Sequence, residues 1–425
     1  MNKALSSSLV ALVMSMTAAS AQELVVWHDL GDNGIKWFEE LSDEFAKENP
    51  GVTITSVSYP TDQWFGRVIG AINTETAPDL IYNNYERVIR IEDQTDRIMD
   101  LSDTLGAVGD KDFLSEADLR VATYDDKMII LPVQRVQMGF GARKSWLDKV
   151  GETMPATWDD AMRVAEKFQT EDPDGNGKAD TFGFALEAAN PRDLIHMLDL
   201  FLFGSGIRHT LIDPDGNIVI DQDEHAKVLE EFLKTFTDYG YTAPDTINHS
   251  FGEMYQVIEG GRAGMFRVGD WNVGKWDGED VLDGDFVVGP WPAHTGDEGK
   301  VVIGGMRGVA VPENSPNKDL AVEFAKFMLS KPAQQASLEN VGAAVRDDLD
   351  TAGMSERKQY FAQAQGPLEA YDFPESVHAF YPELEAAYHR KLLDGIANPP
   401  SDWSAFIAET ADEMRALRDE LQAKQ

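Results

Sequence analysis

Gly260-Gly261-Arg-Ala-Gly-Met-Phe-Arg-Val-Gly-Asp-Trp271, then Val301-Val-Ile-Gly304-Gly305-Met306, then Ser315-Pro-Asn-Lys-Asp-Leu320: these three pieces decide the fold. The paired glycines stop a helix, the short apolar run after them reads as a strand, and Trp271 rides on the loop that follows. A Gly-Gly linker then leads to another apolar-periodic helix opened at Ser315-Pro316. In this order the pieces describe a lobe that the chain leaves and later re-enters.

Upstream, strand and helix signals alternate. Glu23-Leu-Val-Val-Trp27 suits a buried strand, and His28 to Gly34 reads as a polar loop. Ile35, Phe38, Leu41 and Phe45 share one face of a helix that stops at Asn49-Pro50-Gly51. Val52 to Val57 and Pro78-Asp-Leu-Ile-Tyr82 are further strands, with a helix around Trp64 to Ile72 between them. Such alternation argues a parallel α/β sheet, in which ligands sit beyond the carboxyl ends of the strands. The loops at 28–34, 59–64 and 83–87 are therefore candidates by position. Met128 to Phe140, extended with Pro132 inside it, suits a strand crossing between two lobes. Thr157-Trp-Asp-Asp160 opens a helix with a capping-box-like start. Asp213-Pro-Asp-Gly216-Asn reads as a hairpin turn between two short strands, and the tail from about Asp350 is mostly helical.

The ends and the composition narrow the class. Residues 1–21 read as a cleavable leader: Lys3 is the positive start, Leu9 to Met14 lies in the apolar core, and Ala19-Ser-Ala21 fits the cleavage rule. That apolar core is far short of the roughly 20 residues a membrane-spanning helix needs. With no Cys near the cleavage point, no lipid anchor is expected, and the mature chain is expected in the periplasm of a Gram-negative cell. The chain has no cysteine at all, so no disulfide staples it. At 425 residues it can bury large cores and divide into domains. A net charge of −37 makes nucleic acid and anionic membrane poor partners.

Six segments carry a family resemblance, distributed in order along nearly the whole mature chain. They are Phe45-Ala-Lys-Glu-Asn-Pro-Gly51, Ala77-Pro-Asp-Leu-Ile81, Met154-Pro-Ala-Thr-Trp158, Gly264 to Trp271, Asn317 to Phe324, and Val341-Gly-Ala-Ala-Val-Arg346. Together they resemble the extracellular solute-binding proteins of ABC importers, the sugar-binding, maltose-binding-protein-like branch in particular. Phe140-Gly-Ala-Arg-Lys144 departs from the family's usual Tyr-Tyr-Asn after the first crossing. The resemblance implies an α/β, two-lobed periplasmic-binding-protein fold (type II-like), with the ligand cleft between lobes and several hinge crossings. The N-terminal lobe would span 22–134 plus 303–345, and the C-terminal lobe 135–302 plus 346–425. It further implies a monomeric, non-catalytic receptor that closes over a mono- or oligosaccharide and is then recognised by the permease subunits of an ABC transporter.

Loop position and motif match together nominate the ligand contacts. They are His28 and Asp29 after the first strand, Tyr59 and Trp64 after the second, and Asn83, Asn84 and Glu86 after the third. Gln134 and Arg135 lie on the first crossing, and Glu187 follows Phe182-Gly-Phe184. Trp271, Trp291, Gly304, Gly305, Arg307, Arg346 and Tyr381 complete the set. Trp271 matches the family's stacking position; core packing is the alternative for each aromatic. No cofactor is required, but Asp172, Asp174, Asn176, Lys178 and Asp180 sit at the ligand spacing of an EF-hand loop. Position 12 of that loop is Gly183 instead of Glu, so a structural Ca2+ and a plain Asp/Asn/Gly turn are both open readings. A polyol, a glycerophosphodiester or a cationic osmolyte is the alternative ligand. An exported glycoside hydrolase is the rival class, since paired carboxylates also suit sugar cleavage. The sequence shows no His-Glu-x-x-His, no Gly-x-Ser-x-Gly and no catalytic Cys.

Overall fold

The computed structural model describes residues 22–109, 111–278, 281–294, 302–363 and 380–424, so the leader expected over 1–21 lies outside the described residues. Ten strands run in chain order as β1 (Gln22–His28), β2 (Val52–Ser58), β3 (Leu80–Asn84), β4 (Thr123–Tyr124), β5 (Lys127–Met128), β6 (Leu131–Ala142), β7 (Phe182–Phe184), β8 (Ala263–Gly269), β9 (Val287–Gly289) and β10 (Val302–Ala310). Eight of them form one sheet in the order β2-β1-β3-β10-β6-β8-β7, with β9 also pairing β6, while β4 and β5 pair only with each other.

Parallel pairing holds β1 to β2 and β3, and β7 to β8, with helices returning the chain between them. The pairings of β10 with β3 and β6, and of β6 with β8, are antiparallel. The sheet is thus two α/β halves sewn together by two long strands. Each half has its own core, as apolar faces on separate helices require. One core packs Leu24, Val26, Phe38, Tyr82, Val133, Met306, Phe324 and Val345; the other packs Met138, Phe140, Trp158, Phe201, Met265, Trp276, Leu384 and Met414. Strand β6 serves both, giving Leu131 and Val133 to the first core and Met138, Phe140 and Ala142 to the second. The passage between lobes therefore falls on Gln134 to Gln137. The two-lobed α/β expectation holds.

Polar side chains fix that passage. Arg135 donates from Nε to Asp118 Oδ1 at 2.9 Å, from Nη1 to the Val345 carbonyl at 2.8 Å and from Nη2 to the Phe113 carbonyl at 2.8 Å. Gln334 donates to the carbonyls of Val133 (3.1 Å) and Met328 (2.9 Å) and accepts the Val345 N–H at 2.8 Å. Strand β6 and the segment at Val345 are thus tied to the first lobe by groups buried away from water, where unmade bonds are costly. On the other side, the helix Lys331–Val341 ends at Gly342 with φ +81°. A Cβ there would stand 2.5 Å from the Asp270 carbonyl, so this helix end abuts the second lobe directly.

Two local expectations are corrected. The helix expected after Gly34 begins at Gly31. The Leu30 N–H finds His28 Nδ1 (3.1 Å), the Gly31 N–H finds Ser58 Oγ (3.0 Å), and Asp32 sits in the first turn where its charge suits the helix dipole. The hairpin expected around Gly216 forms as a turn with a single bridge, Ile212 to Ile218, instead of two strands. There Asp213 Oδ1 accepts the Asn217 N–H at 2.8 Å and closes the loop locally.

Candidate functional site

The carboxyl ends of β1 and β3 and the outward bend of β10 bring a charged cluster together in the first lobe. Asp29 Oδ1 accepts from Arg307 Nη2 at 2.7 Å, and its Oδ2 from Arg87 Nη1 at 3.2 Å. Its side chain is 1% exposed. Arg307 Nε also donates to Asn84 Oδ1, and Asn84 Nδ2 donates to Glu86 Oε1 at 2.8 Å. The Arg307 guanidinium lies over the Tyr82 ring, 5.6 Å from its centroid. Burial would push the Asp29 carboxyl up, but the guanidinium groups of Arg307 and Arg87 and the Asn83 amide hold it below the usual carboxylate value. His28 is buried beside it against Phe38, and desolvation takes its imidazole down to about 4, so it is neutral near pH 7.

The second lobe answers with a wall built from β7, β8 and the helix Asp270–Trp276. Arg267 Nη1 and Glu187 Oε1 are 2.9 Å apart, both wholly buried. The same Nη1 approaches His196 Nδ1 at 3.2 Å, and the guanidinium lies over the Phe251 ring at 4.8 Å. Trp271 Nε1 donates to Tyr255 Oη at 3.2 Å, and that hydroxyl donates to Asn272 Oδ1 at 2.9 Å. The half-buried indole is therefore held by its nitrogen from within the lobe. It also covers Gly269, where a Cβ would come within 2.4 Å of the ring. Asp270 Oδ2 accepts the Gln137 N–H of the crossing strand at 2.9 Å, while burial pushes its carboxyl well above the ordinary value.

Of the residues nominated from sequence, His28, Asp29, Asn83, Asn84, Glu86 and Arg307 converge in the first wall, and Glu187 and Trp271 in the second. Gly305 belongs to β10 with φ +140°, beside Gly304. Tyr59 stands next to the first wall, edge-on to Trp27 at 5.0 Å with Arg67 over its face at 4.8 Å. Other nominations are committed to packing. Trp64 is buried in the first core, and Trp291 packs against Phe140 and Phe201 in the second, as Tyr381 does among the apolar side chains there. Gln134 joins Tyr82 Oη to Ser337 Oγ, and Arg135 pins the passage between lobes. Arg346 lies over Phe113 at 4.4 Å and pairs with Asp348. Sequence reasoning missed Arg87, His196, Phe251, Tyr255, Arg267, Asp270 and Asn272. Arg267 did carry a signal: it is the one charged residue in a seven-residue strand, β8, that is buried along its whole length.

The acidic loop does not fit a cation as it stands. The Asp172 carboxylate accepts the Gly177 N–H, and Asp174 and Asp180 both accept from the Asn176 amide, at 2.6 and 3.1 Å. The ammonium of Lys149 occupies the Asp172 carbonyl. Among the described residues no group of three or more carboxylate, imidazole or thiolate side chains is placed to hold a metal ion. Lys178 gives its backbone N–H to Asn176 Oδ1 at 2.8 Å.

A family model described as "Bacterial extracellular solute-binding protein" matches residues 31–335. The chain belongs to that family. A fructooligosaccharide ABC transporter substrate-binding protein of Streptococcus pneumoniae is 26% identical over 214 residues, 48% of this solute-binding protein but only 38% of the relative's own length. A putative binding protein of Brucella abortus is 22% identical over 342 residues, 79% of this chain and 78% of that one. Solved structures share the fold. The maltose-bound MalE3 of T. maritima superposes with a TM-score of 0.77 at 17% identity, covering 93% of this chain and 100% of that one. A solute-binding protein of Thermotoga lettingae bound to α-D-tagatose gives 0.74 at 16% identity, with 93% and 100% covered. Among the described residues no helix of this solute-binding protein is long and apolar enough to cross a membrane.

Proposed function

We propose that this solute-binding protein captures a neutral sugar or sugar alcohol between its lobes and delivers it, chemically unchanged, to the permease of an ABC importer. It does so outside the cytoplasmic membrane, after removal of the leader formed by residues 1–21. The observation that carries the reading is the charge balance of the two walls. Three guanidinium groups (Arg87, Arg307, Arg267) are matched by three carboxylates (Asp29, Glu86, Glu187), while Asp270 is driven toward its neutral form by burial. Among the described residues of the two walls each charge thus faces an opposite one, which disfavours a charged ligand, whereas hydroxyl groups can use the donor and acceptor positions that each ion pair leaves over.

The indole of Trp271 adds an apolar face for the C–H side of a sugar ring. The streptococcal relative's name and the maltose, tagatose and ribitol in the solved structures favour the same ligand class. Against hydrolysis by these two carboxyls stand their partners: Asp29 is held low by two arginines and Glu187 is paired with Arg267, so neither is poised as the acid of a pair for glycoside cleavage.

The test is a thermal-shift screen of the full chain with maltose, tagatose, ribitol, glycerophosphocholine and glycine betaine. A ligand that binds only the folded state raises the melting temperature by mass action. Neutral sugars or polyols should raise it and be recovered intact. If only the phosphodiester or the quaternary amine does so, or if the sugar is cleaved, the reading is wrong.

A further inference from the structure

Arg267 is wholly buried, yet its guanidinium is only half used. Nη1 is committed to Glu187 Oε1 at 2.9 Å and approaches His196 Nδ1 at 3.2 Å. The plane rests on the Phe251 ring, 4.8 Å from its centroid, and Phe251 is itself the exposed large apolar side chain of the described chain, at 39%. Nε and Nη2 have no hydrogen-bond partner among the described residues. Those two N–H groups project side by side from one edge of a rigid planar fork, the geometry that grips a pair of adjacent oxygens. Leaving them empty in a buried position is costly, so they call for an acceptor that the described residues do not supply.

We propose that the Nε/Nη2 edge of Arg267 reads a neutral vicinal diol, and that this edge, together with Glu187 on the opposite side of the guanidinium, sets the ligand class. The inference rests on the receptor reading above and narrows it. A carboxylate would also span the two donors, but Glu187 already supplies the counter-charge. A second anion held on the same guanidinium in a water-free position would meet Glu187 across it. Two neighbouring hydroxyl oxygens accept both N–H groups without that repulsion and keep their own protons to give. Two further buried acceptors lack a partner among the described residues, Asp270 Oδ1 and Gln137 Oε1, and the Gln137 N–H binds Asp270 Oδ2. Uronic and other sugar acids are thereby disfavoured relative to neutral sugars and alditols.

Titration calorimetry on the full chain tests this. The probe is whichever of maltose, tagatose and ribitol binds most tightly, set against galacturonate and against singly deoxygenated forms of the probe. Arg267→Lys keeps the charge beside Glu187 but removes the paired edge, so it should bind the probe about tenfold or more weakly while its urea midpoint stays close to that of the parent. Galacturonate should bind more weakly than the probe, and loss of one hydroxyl of a vicinal pair should cost about tenfold. Should Arg267→Lys fail to fold, the deoxygenated series on the unaltered protein decides. The inference is overturned if Arg267→Lys folds and binds as the parent does, if galacturonate binds more tightly than the neutral probe, or if no vicinal hydroxyl matters. If none of the carbohydrates binds, the receptor reading itself fails, which the first two of those results would leave intact.

Discussion

On the first lobe's wall, Arg307 donates to Asp29 and Asn84, Arg87 completes Asp29, and Asn84 passes a bond on to Glu86. On the second lobe's wall, Arg267 meets Glu187 with one nitrogen and leaves Nε and Nη2 unmatched, and Asp270 leaves Oδ1 unmatched. Both walls use arginine and carboxylate, both are buried, and both lie at the carboxyl ends of strands. They differ in completeness. In the first wall every guanidinium and carboxylate group has a partner, and the buried polar atoms left without one among the described residues are the neutral His28 Nε2 and Asn83 Nδ2; in the second, a guanidinium edge and a carboxylate oxygen are left over. The difference teaches where to look for stability and where to look for recognition: damage to the first wall should be felt in folding, damage to the second in binding.

The largest effect is expected in the first wall. Asp29→Ala strands two guanidinium groups in a buried site and should lower the unfolding free energy by about 3–5 kcal/mol, read from urea denaturation. A loss below about 1 kcal/mol would mean that water already reaches Arg87 and Arg307, and that the contrast between the walls is false. Next comes Trp271→Ala, which removes the ring face without touching an ion pair. Affinity for the carbohydrate that gives the largest thermal shift should fall about tenfold, close to 1.4 kcal/mol, in calorimetry. Its melting temperature should move much less than that of Asp29→Ala.

A subtler contrast lies in the pH dependence, because the two walls carry carboxyls shifted in opposite directions. The Asp29 pKa is lower in the folded chain than in the unfolded one, so its contribution is present above the ordinary carboxylate range and is lost as pH falls. Asp270 is raised well above 3.8, so its contribution is fully present below that value and is lost as pH rises toward its raised value. His28, lowered to about 4, acts in the sense of Asp29 and costs stability as pH falls below about 6.5. Asp270→Asn should therefore make the protein comparatively more stable at the alkaline end of the range from about pH 4 to 7, as followed by urea midpoints. An unchanged pH profile would show that Asp270 is hydrated and not part of a dry wall. The smallest effect is expected far from either wall: chelation with EDTA should leave the melting curve unchanged, since the Asp172–Asp180 loop closes on its own amides. A calcium-dependent rise in melting temperature would show that the loop rearranges to bind the ion.

Much of this was legible in the chain before any coordinate. Residues that follow a strand are announced by the end of a β-branched or apolar run, which is how His28, Asp29, Asn83, Asn84 and Glu86 were reached. Arg307 came from the Gly-Gly segment before it. Aromatic residues were harder. Trp64, Trp271 and Trp291 look alike in sequence, and only the burial of Trp64 and Trp291 in the cores sets them apart from the half-buried Trp271. The residues of the crossing strand pose a related problem. Gln134 and Arg135 lie at the passage between lobes, but their polar groups are consumed by Tyr82, Ser337 and Asp118, partners up to 203 residues away that no local pattern reveals. Arg267 was overlooked inside a strand noted for its glycines and for the Trp that follows it. A charge in a fully buried strand is a buried partner search, and that observation alone would have found it.

The central claim is that two lobes grip a small polyhydroxylated molecule across the passage formed by β6 and β10. Small-angle X-ray scattering of the full chain, with and without a saturating amount of the tightest-binding carbohydrate, tests it most directly. A smaller radius of gyration in the presence of ligand is the expected result, as the lobes close. A radius of gyration unchanged at proven saturation would contradict it.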